Sequence, residues 1–298
     1  MSTYPRITLV TPSYNQGQFL EQTIDSVLSQ GYPNLDYIVI DGGSTDDSVG
    51  VIRKHGRHLS YWVSEPDSGQ SDALIKGFSR GTGELINWIN SDDLLQPGAL
   101  HAVAESWLQT PSTFVVGQDH QFSSGPDQPV GHFLPAGYAH PDCLKFWSGR
   151  FRYHQPPTFM SRAAYDAVGG LRPDLHYVMD YDLYCRMLAL PGASVRYLDR
   201  VLSAFRLHPG AKTARAKAGF LAELREVSQA LWPADWDHEV ELQAMNRYSA
   251  ECALFQAAES FRSRDLRSCS RALGTAARLA PWHAARFALS RWRGQVHG

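Results

Sequence analysis

The chain has 298 residues, 28 Lys+Arg against 30 Asp+Glu and a formal net charge of -2, with 43% hydrophobic and 19% charged residues; this is globular composition and excludes wholesale disorder. The near-neutral total conceals two blocks, because from Ser260 onward there are eight arginines, no lysine and one acid (Asp265), a net +7, while the preceding residues carry −9. No run reaches the ~18 apolar residues of a membrane span, residues 1–8 lack the apolar stretch of a secretory signal, and Cys143, Cys185, Cys252 and Cys269 are scattered with no CxxC pair. Cytoplasmic localisation with reduced thiols is therefore expected, and the acidic body argues against a nucleic-acid partner.

In chain order, residues 7–11 (ITLVT) read as a buried strand and 19–29 as a helix. Residues 37–40 make a second strand and 47–55 a helix, 59–63 a third strand and 71–79 a helix, and 85–89 a fourth strand. Strands alternating with helices of this length imply right-handed crossovers and a mostly parallel sheet. Between 117 and 157 the pattern weakens into loops with one or two added strands. Helices return at 163–168 and at 181–190, the latter stopped by Pro191-Gly192. From 217 the chain reads as helical, broken near Pro233 and Pro281. Residues 258–281 weakly resemble one tetratricopeptide unit, but such units need stacked neighbours, so an ordinary helical hairpin is the expectation.

In parallel sheets of this kind ligands sit beyond the carboxyl ends of the strands. The loops found there are Thr11-Pro-Ser-Tyr-Asn15, Asp41-Gly-Gly-Ser-Thr-Asp46, Glu65-Pro-Asp-Ser-Gly-Gln-Ser-Asp72 and Asn90-Ser-Asp-Asp93. Taken singly, Asp41 opens a turn and Asp93 caps a helix beginning near Leu94. Repeated at three crossovers, the carboxylates repel one another unless a ligand or cation lies between them. Hard divalent cations take oxygen ligands, and Mg²⁺ is commonly shared between one or two carboxylates and substrate phosphates. GxGxxG after the first strand and GxxxxGK[ST] are both absent from the sequence. A nucleotide would thus be held by Asp, Tyr and a metal rather than by a glycine-rich loop.

The segments VTPSYNQGQFLEQTIDSVLSQGYPNLDYIVIDGGSTDDS, SEPDSGQSDALIKGF and WINSDDLLQPGAL together resemble family-2 glycosyltransferases of the GT-A fold, over residues 7–213. The resemblance implies an α/β GT-A nucleotide-diphospho-sugar transferase fold, a mostly parallel mixed sheet flanked by helices, with a helical C-terminal extension. It places Thr11, Pro12 and Tyr14 in the nucleotide pocket. Asp41 would accept from the base imide N–H, favouring UDP or dTDP donors. Gly69 and Asp72 would lie along the ribose and diphosphate, and Asp92 and Asp93 match the family's metal-binding motif for Mn²⁺ or Mg²⁺. Two positions depart from the family pattern: Asn90 stands where many members carry a further Asp, and Ile75 where relatives often have Asn.

In the second half, Asp180 of HYVMDYDLYCRM is a helix N-cap by position; by resemblance it is the general base of an inverting transferase, with Asp182 as runner-up on the acceptor side. His154 and Gln155 would contact acceptor hydroxyls or a phosphate. In FRLHPGAKT, His208 completes the metal shell or is a hydrogen-bonded loop histidine, and Lys212 neutralises the departing diphosphate. In the tail, Trp282, Ala285, Leu289 and Trp292 recur at helical spacing with Arg286 and Arg293 flanking, a profile that fits an anionic membrane surface or docking on the acidic body.

The sequence therefore predicts a metal-dependent inverting glycosyltransferase, moving a sugar from a nucleotide-diphosphate donor to a saccharide or lipid-linked glycan, cytoplasmic or peripheral on the cytoplasmic membrane face. The catalytic domain is expected at 1–213, with a donor half to about 117 and an acceptor half after it, and the extension at 214–298. The alternatives are a sugar nucleotidyltransferase, which lacks its glycine-rich basic loop here, and a non-catalytic scaffold of a glycan assembly, which would be free to lose Asp41, Asp92, Asp93 and Asp180.

Overall fold

The computed structural model describes residues 4–282. The expectations for Ala285, Leu289, Trp292, Arg286 and Arg293 lie outside the described residues. Two compact units are present: residues 1–144 with 150–227, and residues 145–149 with 228–298.

The first unit opens with β1 (Ile7–Ser13), α1 (Gly17–Leu28), β2 (Leu35–Asp41), α2 (Ser48–His55), β3 (Tyr61–Ser64), α3 (Gln70–Arg80) and β4 (Leu85–Trp88), each end within two residues of the expected one. β1 is buried along its whole length, as a central parallel strand covered on both faces must be. α1 buries Leu20, Thr23, Ile24 and Val27, a stripe at helical spacing whose Leu20, Ile24 and Val27 join the core cluster that also holds Leu9 of β1 and Val39 of β2. Gly77 of α3 lets that helix lie close to the sheet, since a Cβ there would meet Val10 Cγ1 at 2.5 Å.

The chain continues through β5 (Leu94–Leu95), α4 (Ala99–Gln109), β6 (Phe114–Phe122), β7 (Pro129–Phe133), β8 (Thr158–Ser161), α5 (Arg162–Ala167), α6 (Met179–Leu188), β9 (Val195–Arg206), α7 (Lys212–Arg215) and α8 (Lys217–Ala230). The sheet order is β3-β2-β1-β4-β8-β6-β9-β5, with β7 on β6. β1, β2, β3 and β4 are parallel neighbours, and β8 runs antiparallel to both β4 and β6. The loop region after Gly117 thus holds the rest of β6 and β7, as expected. β9, at 12 residues the longest described strand, was not expected: its first half is mostly exposed and carries Arg196, Asp199 and Arg200, its second half is buried, and its pairing with β6 shifts register on either side of Gln118. β9 then pairs with β5 through Leu94↔Ala204 and Leu95↔Ser203.

In the second unit α9 (His238–Arg262) and α10 (Leu266–Leu279) form a helical hairpin, but its first helix begins well before residue 258, where the expected hairpin started. Its seam holds Ala250, Ala253 and Leu254 with Ala276. Asp237 and Asp265 cap the two helices through their carboxylates. Among the described residues no helix is long and apolar enough to cross a membrane.

Candidate active site

A cavity of about 950 Å³ opens at the carboxyl ends of β1, β2 and β4 and is closed on its far side by residues from the β8, α6 and α7 segments. Of the residues expected in the site, Pro12, Tyr14, Gly69, Asp92, His154, Gln155, Asp180 and Lys212 all line it. Tyr14 is 62% exposed, an aromatic face left free at the mouth. Gly69 caps α3 with φ +116°, a backbone conformation that favours glycine.

Three other expected residues are placed differently. Thr11 is fully buried, with its hydroxyl 3.0 Å from the Tyr37 hydroxyl, so it braces β1 on β2 below the cleft. Asp41 is fully buried, and its carboxylate accepts from Gly43 N, Ser44 N, Ser44 Oγ and Ser64 Oγ. It shapes the β2–α2 loop, while Gly42 and Gly43 form the cleft wall. Asp72 accepts from Ser68 N at 3.0 Å and pairs with Lys76, steadying the turn before α3.

The two acidic neighbours diverge. Asp92 faces the cleft and lies 2.9 Å from His208 Nε2, while the His208 ring packs on Phe19. Asp93 is turned inward with 1% exposure, accepting from Arg206 N at 3.0 Å and from Asn90 Nδ2 at 3.1 Å. Burial first, and the Asp92 charge second, hold its pKa well above the carboxylate range. Among the described residues no group of three His, Cys, Asp or Glu side chains is poised to hold a metal. The Asp92–His208 pair nevertheless fits a divalent cation that takes its other ligands from phosphate oxygens, whereas Asp93 does not face it.

Opposite this pair, Asp180 sits in the first turn of α6. It is not the N-cap: that position is Val178, which has no side-chain cap. One carboxylate oxygen accepts from Tyr181 N at 2.8 Å, and the group faces the cleft. Burial pushes its pKa up to about 6. The backbone that delivers Asp180 is held by Glu223 of α8, whose carboxylate accepts from His176 N, Tyr177 N and Val178 N. Lys212 Nζ donates to His176 O at 2.6 Å and to Gln70 Oε1 at 3.2 Å. Asp182 is 1% exposed and bonded to Arg186, with Arg172 at 3.7 Å. The expectation that it serves the acceptor is corrected: it locks α6 to the Val168–Gly170 turn, which Arg186 also grips.

Sequence reasoning missed Gln70, whose amide donates to Asn90 Oδ1 across the cleft floor, and Asp67, a cleft carboxyl raised by burial. It also missed Glu223 and the buried Asp119, which contacts His154. Asp67 stood in an acidic loop already singled out; for Asp119 and Glu223 no local pattern marks the role, since both act across long sequence separations.

A parallel half-sheet ending in acidic loops, joined to a second half that brings a carboxylate across the cleft from them, is the architecture of a GT-A transferase. Residues 8–168, more than half of the chain, match the profile of Glycosyl transferase family 2, and the chain belongs to that family. An uncharacterised glycosyltransferase of Mycobacterium tuberculosis is 28% identical over 62% of this chain and 70% of its own length. Glycosyltransferase GlyA of Streptococcus pneumoniae is 21% identical over 69% of this chain and 31% of its own. Among solved structures, S. aureus TarS 1-349 in complex with UDP-GlcNAc superposes with a TM-score of 0.66 at 14% identity, covering 93% of this chain and 82% of that one. Mannosyltransferase PcManGT from Pyrobaculum calidifontis, in complex with GDP-Man and Mn2+, gives 0.57 at 20% identity, covering 99% and 81%. The chain is thus a family-2 glycosyltransferase of GT-A fold with a helical C-terminal region.

Proposed function

We propose that the protein transfers a sugar from a nucleoside-diphosphate donor to a hydroxyl of a saccharide or lipid-linked glycan, with inversion at the anomeric carbon. The observation that carries this reading is Asp180: a cleft-facing carboxylate, raised by burial, in the same cavity as the Asp92 side of the site and Lys212. The donor lies along Pro12, Tyr14 and Gly69 with its diphosphate toward Asp92 and Lys212. Asp180 accepts the acceptor hydroxyl's proton as that oxygen bonds to the anomeric carbon from the face opposite the diphosphate. The glycosidic C–O bond to phosphate breaks, and the nucleoside diphosphate leaves with its electron pair. Lys212 meets part of that charge. Asp92 and His208 would hold Mn²⁺ or Mg²⁺, which as a Lewis acid supplies further charge neutralisation on the diphosphate.

The expected UDP or dTDP preference depended on Asp41 reaching the base, and its carboxylate is committed to four protein donors. Tyr14 and the Gly42-Gly43 backbone are the remaining base-side groups, and they carry no preference among bases. We place the catalytic domain at 1–213 and the extension at 214–298, although the first compact unit runs on to Val227. Binding of UDP-, GDP- and dTDP-sugars, followed by hydrolysis and transfer assays of the tightest, tests the proposal. Asp180→Asn is expected to keep donor binding and lose transfer roughly 10²–10⁴-fold; near-normal turnover would remove Asp180 as base. EDTA is expected to abolish transfer and Mn²⁺ or Mg²⁺ to restore it, and full activity in EDTA would remove the metal role of Asp92 and His208.

A further inference from the structure

The cleft wall facing Asp180 contains a second charged assembly that the mechanism above leaves idle. Asp119, in the middle of β6, is fully buried, yet it is a carboxylate. Its Oδ2 lies 2.6 Å from His154 Nδ1 and its Oδ1 accepts from Ser203 Oγ of β9, also at 2.6 Å. A buried carboxylate is costly unless paired and hydrogen-bonded, and these two contacts provide that pairing. The His154 ring is sandwiched: Phe133 stacks on it at 4.7 Å and 29°, and Phe205 packs at 4.9 Å. His154 O accepts from Thr158 Oγ1 at 2.6 Å, which fixes the backbone as well. The ring therefore has one orientation, with Nδ1 directed at the carboxylate and Nε2 without a partner among the described residues, in a residue that lines the cavity.

The surroundings of that ring are incompletely satisfied. Three other cavity-lining residues bury polar atoms that have no partner among the described residues: Ser13 Oγ, Trp88 Nε1 and Gln155 Oε1. Gln155 is itself pinned through Nε2 to Asn87 Oδ1 and Trp88 O, so its amide oxygen cannot turn to find another donor without breaking both bonds.

We infer that Asp119 is a positioning residue that holds a ring hydrogen of His154 on Nδ1, so that Nε2 is the atom presented as an acceptor to a hydroxyl group of the sugar acceptor. The inference rests on the glycosyltransfer reading given above and deepens it. A carboxylate facing Nδ1 selects the Nδ1–H tautomer, because the other tautomer would set two lone pairs against each other. Ser203 matters because it fixes which carboxylate oxygen faces the ring. In Asp119→Asn, Ser203 retains the amide oxygen and the amide NH₂ faces His154, moving the ring hydrogen to Nε2 and turning the cleft-facing acceptor into a donor.

The test uses the full chain with two readouts. Long-range ¹H–¹⁵N spectra of histidine-labelled protein, with the His154 signals assigned by their loss in His154→Gln, are expected to show neutral Nδ1–H in the wild type and Nε2–H in Asp119→Asn. A wild type carrying the hydrogen on Nε2, or an unchanged tautomer in the variant, overturns the inference without any substrate. The second readout is transfer to octyl β-glycosides of glucose, galactose and N-acetylglucosamine from the sugar nucleotide found by the donor screen. His154→Gln and Asp119→Asn are each expected to lower the ratio of transfer to hydrolysis at least tenfold and to raise KM for the octyl glycoside more than KM for the donor. The double variant is expected to be no worse than the poorer single one. Multiplying effects, or equal losses of hydrolysis and transfer, overturn the inference. If Asp119→Asn fails to fold, Ser203→Ala carries both readouts with smaller expected changes. A wild type that turns over no sugar nucleotide defeats the glycosyltransfer reading instead, while the tautomer still decides the geometry.

Discussion

Asp180, the base in the proposed reaction, lies in a place that disfavours its charge. Burial raises its carboxyl from 3.8 to about 6, so the folded state binds this proton more tightly than the unfolded chain does. Below pH 4 both states are protonated and the group costs nothing; as pH rises from about 4 through 6 the unfolded chain ionises first, and the penalty is complete above 6. The shift corresponds to about 3 kcal/mol at most. Asp180→Asn is therefore expected to stabilise the protein by up to about 3 kcal/mol at pH 8 and by nothing near pH 3.5, measured by urea unfolding at both. The proposed base must be ionised to work, so kcat/KM in the wild type should rise through about pH 6. Equal stability of the two proteins at pH 8 would show that the carboxylate pays no burial cost. Asp93 behaves oppositely: it is committed to Arg206 N and Asn90, so Asp93→Ala leaves a buried N–H unpaired and should destabilise by about 1–3 kcal/mol, seen as a lower Tm.

At the scale of elements, α8 holds the segment before α6 although it follows the expected catalytic domain. Glu223 gathers three consecutive N–H groups just before α6, supplying the cap that Val178 cannot. Glu223→Ala should cost roughly 1–3 kcal/mol and speed amide exchange at residues 176–178, with a fall in kcat through the looser placement of Asp180. Unchanged exchange at those amides would remove this role. What could be read in advance follows the range of the interactions. The β1 to β4 crossovers were legible because each strand and helix carries its own periodicity, and the acidic loops stood at the strand ends where the topology puts ligands. β9 and β5 were not legible, because a two-residue strand has no period and VRYLDRVLSAFR is interrupted by charges that break any alternation. The Asp92-Asp93 step was legible as a site but not as an orientation. Adjacent side chains diverge, and which one faces the cleft is decided by Arg206 N, more than a hundred residues away.

The molecule as a whole divides its charge between two blocks, −9 up to Glu259 and +7 after it, and much of the acidic block's functional share is the strand-end carboxylates around the cleft. If the basic tail meets a membrane, the full chain should sediment with vesicles containing anionic lipid, lose that binding at high salt and ignore neutral vesicles; no sedimentation with either kind would remove the membrane partner. The antiparallel tie between β5 and β9 bears on the order of assembly. Residues 94–95 meet 203–204, and through the same tie Arg206 and His208 arrive beside Asp92 and Asp93. The β1–β4 crossovers close short loops, whereas this pairing closes a loop of over a hundred residues and bears the larger entropic cost. During synthesis the donor half can therefore collapse well before its catalytic edge exists. A ribosome-bound or truncated chain ending before β9 would hold an acidic loop lacking its histidine; on the proposed roles of Asp92 and His208 it should turn over no sugar nucleotide until nearly the whole of residues 1–213 has emerged.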